Sequence, residues 1–523
     1  MTHKARLLAT TFIGGLISLA LELAAGRLLA PAFGTTELVW SAIIGLILLY
    51  LSVGYALGGR WADKAPYPRV LYTILVAAGL AIAVIPLAAR PLLQLAARGM
   101  RAFNLGLIAG PFVVILALFA VPVTLLACVS PFAIRLALED LEGSGGAVGR
   151  FTAVSTLGSF IGTFLPNLVL IPNIGTRRTF LLLALLASLT GLWGLWTARR
   201  RRFWALVWTA PLIAALFLWD PGAVKPEARL LHEEESTYNL IQVVEDGRGR
   251  RYLLLNEGQG IHSIYTPPSD YRDGDPLALL TGGPWDFYLV APFFNPPPHP
   301  PEAVEDLLII GLAAGTTATQ VTEVYGPLPI DGVEIDPAIV EVGRDYFGMT
   351  LPNLDVHVTD GRTYLLQTGE RYDVVAIDAY RLPYIPWHLT TAEFFQAVRE
   401  HLRDDGVVAI NVGHVPGSGK ASGDWRLVDA MANTMRQVFP SVHVIDIPGS
   451  FNAILVATVQ PSAPENLAAN RLLLEDPRLR HLAEQASANL RQPAESDLVF
   501  TDDRAPVEQL THAIALRYML GID

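Results

Sequence analysis

Two patterns of apolar residues divide this chain. Up to about residue 220 they run together in long blocks, at 7–29, 38–58, 70–89, 105–128, 151–171, 180–196 and 203–219. A helix needs about 20 apolar residues to cross the hydrocarbon of a bilayer. The blocks therefore predict a multi-span helical membrane domain over 1–220, with about seven spans. Gly54/Gly58 and Gly158/Gly162 stand four apart inside them, a spacing that lets helices pack closely.

Past residue 220 the period shortens to that of strands. The stretches "YNLIQVVED" and "RYLLLNEGQG", joined by the polar "GRGR", predict a β-hairpin. "WDFYLVAPFF" predicts a short helix, and "NPPPHPPEAVED" a stiff connector with His299 in an exposed loop. These make a hairpin and helix region over 221–300. From 301 to 523 strands and helices alternate. "DLLIIGL", "IDGVEID", "LDVHVTD", "YDVVAIDAY" and "GVVAINVG" read as buried strands, and "SVHVIDI" with "FNAILVATV" as a closing antiparallel pair. That alternation predicts a doubly wound α/β sheet with its ligand at the carboxyl ends of the strands.

The polar residues fall at those ends. Gly311 and Gly315 form the turn after the first strand, Glu334 and Asp336 end the second, Asp360 and Gly361 the third, and Asp378 the fourth. A carboxylate about 20 residues beyond the first glycine suits a ribose diol, because it accepts two hydroxyl hydrogens at once. The turn has neither G-x-G-x-x-G nor G-x-x-x-x-G-K-[ST], so a nucleoside without a pyrophosphate or triphosphate is expected. No spacing of His, Cys and acids suggests zinc, and no metal is expected.

Composition adds limits. Of 523 residues 52% are hydrophobic and 17% charged, and the net charge of −11 argues against nucleic acid as a partner. Cys128 is the single cysteine, which excludes disulfides within the chain. Glu22 lies deep in the first apolar block, where an acid is expensive. It marks a candidate polar site in the membrane, with an ion pair or hydrogen bond to another helix as the alternative. Arg27 is expected to snorkel to the interface. "FTDDRAPVEQL" places Asp502 and Asp503 before a proline and a helix, which reads as a capping cluster, with a lid as the alternative. If the spans alternate, Lys4, Arg6, Arg60, Lys64, Arg69, Arg135, Arg150 and 199–202 share one side; Arg90, Arg98, Arg101, Arg177 and Arg178 share the other. The richer side should be cytoplasmic. Seven spans would then put the α/β domain outside, whereas a last block lying in the interface would put it inside.

Together "LLIIGLAAG", "GVEID", "VTDGRTYL", "DVVAIDAY" and "NEGQG" resemble the motifs of the spermidine synthase family, the polyamine aminopropyltransferases, over about 235–459. The blocks "ELAAGRLLAPAFGTTELVWS", "GYALGGRWAD" and "STLGSFIGTF" resemble the membrane segment of fused spermidine-synthase-like proteins. The resemblance implies a methyltransferase-like fold and an attack by an amine on decarboxylated S-adenosylmethionine, with no tightly bound cofactor. It implies that Asp378 orients and deprotonates the amine, that Gln259, Glu334, Asp360 and Gly361 hold the nucleoside, and that Tyr288 and Tyr380 line the amine channel. The chain departs from the family at three positions. Ala314 stands where the family has an aspartate for the donor's ammonium, Leu289 where it has a glutamine, and Arg381 where it has a second aspartate. A cation at Arg381 repels a diamine and pairs with a carboxylate on donor or acceptor.

The leading expectation is therefore a membrane-anchored transferase that moves an aminopropyl group from decarboxylated S-adenosylmethionine to an amine or polyamine. Two alternatives stand beside it: a transferase of other specificity that uses S-adenosylmethionine itself, and a non-catalytic nucleoside-binding sensor or transport-associated protein. The expected partners are the lipid bilayer and a small amine, and a homodimer is admitted. Because S-adenosyl donors are made in the cytoplasm, the expected location is the cell membrane, multi-pass, with the α/β domain on the cytoplasmic side.

Overall fold

The computed structural model describes residues 3–33, 37–102, 106–138, 144–198, 200–219, 222, 229–256, 260–380, 385–416 and 423–520. The chain forms two compact units. One is Met1–Pro226 with Glu233–Leu240; the other is Glu227–His232 with Ile241–Asp523.

The first unit is helical. Among the described residues six helices are long and apolar enough to cross a membrane, by length and composition alone. The seven expected blocks fall on these six because Gly145–Ala198, 54 residues long, takes in two of them. Its backbone breaks at Gly175, whose φ of 77° is open to glycine but strained for other residues. Both glycine pairs are points of close approach. A methyl group at Gly158 or Gly162 would collide with the carbonyl oxygens of Phe12 and Leu16 on the first helix, His3–Phe33. One at Gly54 would meet Ala127 and Thr124 O, and one at Gly58 would meet Cys128. Glu22 is half-buried in the first helix. Arg27, expected to reach toward the interface, has backbone partners. Its guanidinium donates to the carbonyls of Tyr238 (2.9 Å) and Ser236, in the 233–240 segment that counts with this unit.

The hairpin is part of a four-stranded sheet: β1 (Leu230–Glu235), β2 (Leu240–Glu245), β3 (Arg251–Leu255) and β4 (Ile261–Tyr265), in that order. The pairing of β2 with β3 across "GRGR" follows the expected turn. The outer strands escaped the sequence reading because β1 is charged ("LLHEEE") and β4 carries His262 and Ser263.

The second sheet has eight strands. β5 (Leu307–Ile310), β6 (Ile330–Glu334), β7 (Leu354–Val358), β8 (Tyr372–Ile377) and β9 (Leu402–Gly413) run parallel. β10 (Ser441–Asp446), β11 (Asn452–Thr458) and the two-residue β12 (Leu490–Arg491) close it antiparallel. The order is β12-β10-β11-β9-β8-β5-β6-β7. This is a doubly wound, methyltransferase-like sheet, as expected. Strand order reverses between β5 and β8, and such a switch point opens a crevice for ligand. β5 and β8 are buried along their whole length, as parallel strands covered on both faces must be. Alternate residues feed two cores: Leu308, Ile310, Val375 and Ile377 one side, Leu307, Ile309, Val374 and Ala376 the other.

Within the proline connector Pro296–Pro298 are exposed, but His299 is buried, contrary to expectation. Its backbone N–H donates to Asn470 Oδ1 (2.9 Å), and Asn470 Nδ2 donates to the carbonyls of Phe293 and Asn295 (2.9 Å each). One buried amide thus satisfies three backbone groups and holds the connector against the core. Burial lowers the His299 pKa.

Candidate active site

At the switch point, the turn after β5 lies against the end of β8. Gly311 N–H donates to Val333 O (2.9 Å), and Asp378 N–H donates to Ile310 O (2.8 Å). Gly311 has φ 89°, and a Cβ there would sit 2.6 Å from Asp378 O, so only glycine fits. Ala313 is also left-handed, with φ 48°, in a turn otherwise relieved by glycine. Its N–H donates to Glu334 Oε2 (2.9 Å). Ala314 is the next residue of the turn. It is buried in an apolar cluster with Ile241, Val243, Leu253 and Phe347, and its N–H donates to Ser263 Oγ (3.0 Å).

Glu334 ends β6. Its other oxygen accepts from Asp336 N–H (3.0 Å). Burial nonetheless pushes its pKa up to about 7, against the pull of these backbone donors. Each oxygen keeps a lone pair, the arrangement a vicinal diol requires. Asp336 is fully buried and caps the helix Pro337–Tyr346, accepting from Ala338 N–H (3.1 Å). Its backbone N–H is the one that holds Glu334.

Asp360 ends the β7 segment, next to Glu334 through the Thr359 N–H bond to Glu334 O (3.1 Å). It caps the helix Gly361–Gln367 through Thr363 N–H (3.0 Å). His388 Nε2 lies 2.9 Å from its second oxygen and is the main cause holding its pKa down to about 2. Gly361 is required by packing, since a Cβ there would collide with Ile310 Cγ2.

Asp378, beyond β8, accepts from Asn411 Nδ2 (2.9 Å) on β9. Burial pushes its pKa up to about 6, opposed by hydrogen bonds from Asn411 and Trp285. Tyr288, in the short helix Pro284–Tyr288, is buried and donates to Ile377 O (2.8 Å), so its hydroxyl is fixed to the backbone behind Asp378. The Tyr380 hydroxyl and Asn411 Oδ1 are buried without protein partners, which leaves polar capacity beside Asp378. Gln259 and Arg381 lie outside the described residues.

Several residues here were not anticipated. Ser263, Trp285, Asn411 and His388 stand on elements far apart in sequence, and no local spacing joins them to the acids they touch. The Asp502 carboxylate does not cap the helix that follows it. It takes a two-point bond from Arg362 (2.7 and 2.6 Å) and one from Thr391 Oγ1 (2.8 Å). Among the described residues one group could gather a metal: Asp331, Asp355 and His357. They sit on β6 and β7, with a His357–Asp331 contact (2.9 Å) and a Tyr372 hydroxyl bond to Asp331 (2.6 Å) already in place.

Residues 297–467 match the family profile described as "Spermine/spermidine synthase domain". Over these residues, about a third of its length, the chain resembles a spermine/spermidine synthase domain. Around it, 306 residues are 30% identical to a "Probable polyamine aminopropyl transferase" of Bifidobacterium longum (strain NCC 2705), covering 55% of this chain and 64% of that protein. A "Polyamine aminopropyltransferase" of Vibrio vulnificus (strain CMCP6) is 29% identical over 248 residues, 46% of this chain and 76% of the relative. The crystal structure of a probable spermidine synthase from Corynebacterium glutamicum ATCC 13032 aligns at 20% identity with a TM-score of 0.38, over 52% of this chain and 99% of that one. The matched segment contains the turn, Glu334, Asp360 and Asp378 together.

With a ribose diol seated on Glu334, nucleoside binding is expected to depend on pH. Diol hydroxyls donate to the ionised carboxylate, so bound nucleoside lowers a pKa that starts at about 7. Affinity for methylthioadenosine is expected to rise up to about tenfold from about pH 6 to about pH 8. Glu334→Gln is expected to bind weakly with a flat profile. Calorimetry across that range decides this, and an unchanged slope in the variant removes Glu334 from the diol site. Stability runs the other way. The folded state keeps a proton that the unfolded state has lost between the ordinary value of 4.5 and about 7, so this group's contribution falls as pH rises through that window.

Proposed function

We propose that the α/β unit transfers an aminopropyl group from decarboxylated S-adenosylmethionine to an amine, on a chain anchored in the bilayer by its apolar helices. The observation that carries this is Asp378, a carboxylate with a pKa of about 6 at the switch point, facing the turn next to Glu334. The ribose sits on Glu334 and the base extends toward Asp360. The sulfonium then lies over the Gly311 turn near Asp378. The amine nitrogen attacks the carbon beside sulfur; a C–N bond forms, the C–S bond breaks, and methylthioadenosine leaves with the electron pair. Asp378 holds the attacking ammonium and accepts its proton. A pKa near 6 leaves it ionised, yet basic enough to take a proton near neutrality.

Ala314 favours a second reading, an S-adenosylmethionine-dependent transferase of other specificity. With an alanine buried there, no carboxylate from that position reaches a donor ammonium. Supply of the donor in the cytoplasm supports a cytoplasmic α/β unit. Calorimetry of the full chain in detergent with methylthioadenosine, S-adenosylhomocysteine and NAD tests the nucleoside site. Methylthioadenosine is expected to bind and NAD to bind at least about tenfold more weakly. Binding of NAD alone would overturn both transferase readings.

A further inference from the structure

We propose that His388 is a positioning residue of the nucleoside site, and that an Arg362–Asp502 clamp from the C-terminal segment holds it there. The inference rests on the nucleoside reading above and adds to it a residue and a coupling.

The end of β7 lies beside the end of β6, and Thr359 N–H is bonded to Glu334 O. A ribose seated on Glu334 therefore directs its base toward Asp360. Asp360 is useful there only as a fixed acceptor. Thr363 N–H and Oγ1 take one oxygen, at 3.0 and 3.2 Å. The other faces His388 Nε2 at 2.9 Å. An ionised carboxylate has no proton to give, so the imidazole must donate. The remaining lone pairs of Asp360 can then meet only a hydrogen-bond donor on the ligand. A base with an exocyclic amine satisfies this; one with a carbonyl oxygen at the same place sets acceptor against acceptor.

His388 lies in the short turn Trp387–Leu389, which has little rigidity of its own. It is held from outside. Arg362 Nη1 donates to His388 O (3.2 Å) and, with Nη2, grips Asp502 at two points. Asp502 is anchored in turn by Thr391 Oγ1 (2.8 Å) and by its own N–H to Glu393 Oε2 (3.1 Å). Thr391 caps the helix Ala392–Glu400, so the clamp ties the turn to that helix. A two-point guanidinium–carboxylate pair fixes orientation as well as distance. The charged groups around His388 are thus Asp360, Arg362, Asp502 and Glu393, and one chain of bonds runs from the C-terminal segment to Asp360.

The test is calorimetry of the full chain in detergent with two probes, 5′-methylthioadenosine and 5′-methylthioinosine, which differ at the 6-amino or 6-oxo group. The wild-type protein is expected to prefer the amino compound by about tenfold or more, the worth of one hydrogen bond to a charged group. His388→Ala is expected to erase most of that preference while 6-oxo binding changes little. His388→Gln, which keeps an N–H donor, is expected to restore it; a merely structural defect would weaken both probes and would not be rescued. Asp502→Ala is expected to lower the preference about threefold, since Arg362 still reaches His388 O. Binding with an unchanged preference in His388→Ala overturns the role of His388 alone. If the wild type binds neither probe, the nucleoside reading itself falls, and this inference with it. Glu334→Gln separates the two, because it should weaken both probes equally and leave their ratio intact.

Discussion

Asp378→Asn is expected to slow methylthioadenosine release by about 100-fold or more and to change nucleoside affinity by less than about threefold. Asparagine has nearly the same shape and still accepts from Asn411 Nδ2 through its carbonyl oxygen. What it loses is the negative charge that holds an ammonium and the basicity that removes its proton. The wild-type rate should fall on the acid side of about pH 6, as Asp378 takes up a proton, and the residual rate of the variant should lack that limb. Folding is expected to be unharmed. The Asp378 pKa is raised above its ordinary 3.8, so the folded state binds a proton that the unfolded state has released, and stability from this group falls between that value and about pH 6. A neutral side chain removes the penalty. Single-turnover kinetics across about pH 5 to 8 and a thermal melt together decide the matter. Unchanged turnover would take Asp378 out of the reaction.

Ala314→Asp is expected to destabilise the α/β unit by about 3 kcal/mol or more instead of improving polyamine chemistry. The substitution looks like a restoration, because the family carries an acid there. The surroundings say otherwise. Ala314 is 2% exposed and packs with Ile241, Val243, Leu253, Ile339, Val342 and Phe347. A carboxylate must either be desolvated among these residues or swing the turn outward. The turn has little slack, with Ala313 already at φ 48° and Gly311 against Asp378 O. Ala314→Ser should be far milder, within about 1 kcal/mol. Thermal unfolding of the three proteins checks this. An aspartate variant that melts like wild type would mean that position 314 faces the open site, and that the donor's ammonium has room for an acid partner.

The sequence carried the α/β fold well because its signals were local. β5 and β8 are unbroken apolar runs, and each acid at a strand end is followed by helix-starting residues: Asp336 by proline, Asp360 by glycine. The same locality hid the rest. His388 reaches Asp360 across 28 positions, and Arg362 reaches Asp502 across 140. Neither pair leaves a periodic trace. Asp502 read as a helix cap because an acid before a proline and a helix is what a cap looks like; its true partner lies on another element. His299 read as loop because proline runs are commonly solvated, whereas here Asn470 supplies the bonds that bury it. The apolar blocks were each found, and the break at Gly175 falls within 172–179, the polar stretch that separates two of them.

The central claim is tested most directly by incubating the purified full chain in detergent with decarboxylated S-adenosylmethionine and a panel of amines, then following products by mass spectrometry. The account predicts methylthioadenosine that forms only when an amine is present, matched one for one by an amine carrying a new aminopropyl group. S-adenosylhomocysteine formed from S-adenosylmethionine, with no methylthioadenosine from the decarboxylated donor, would contradict it.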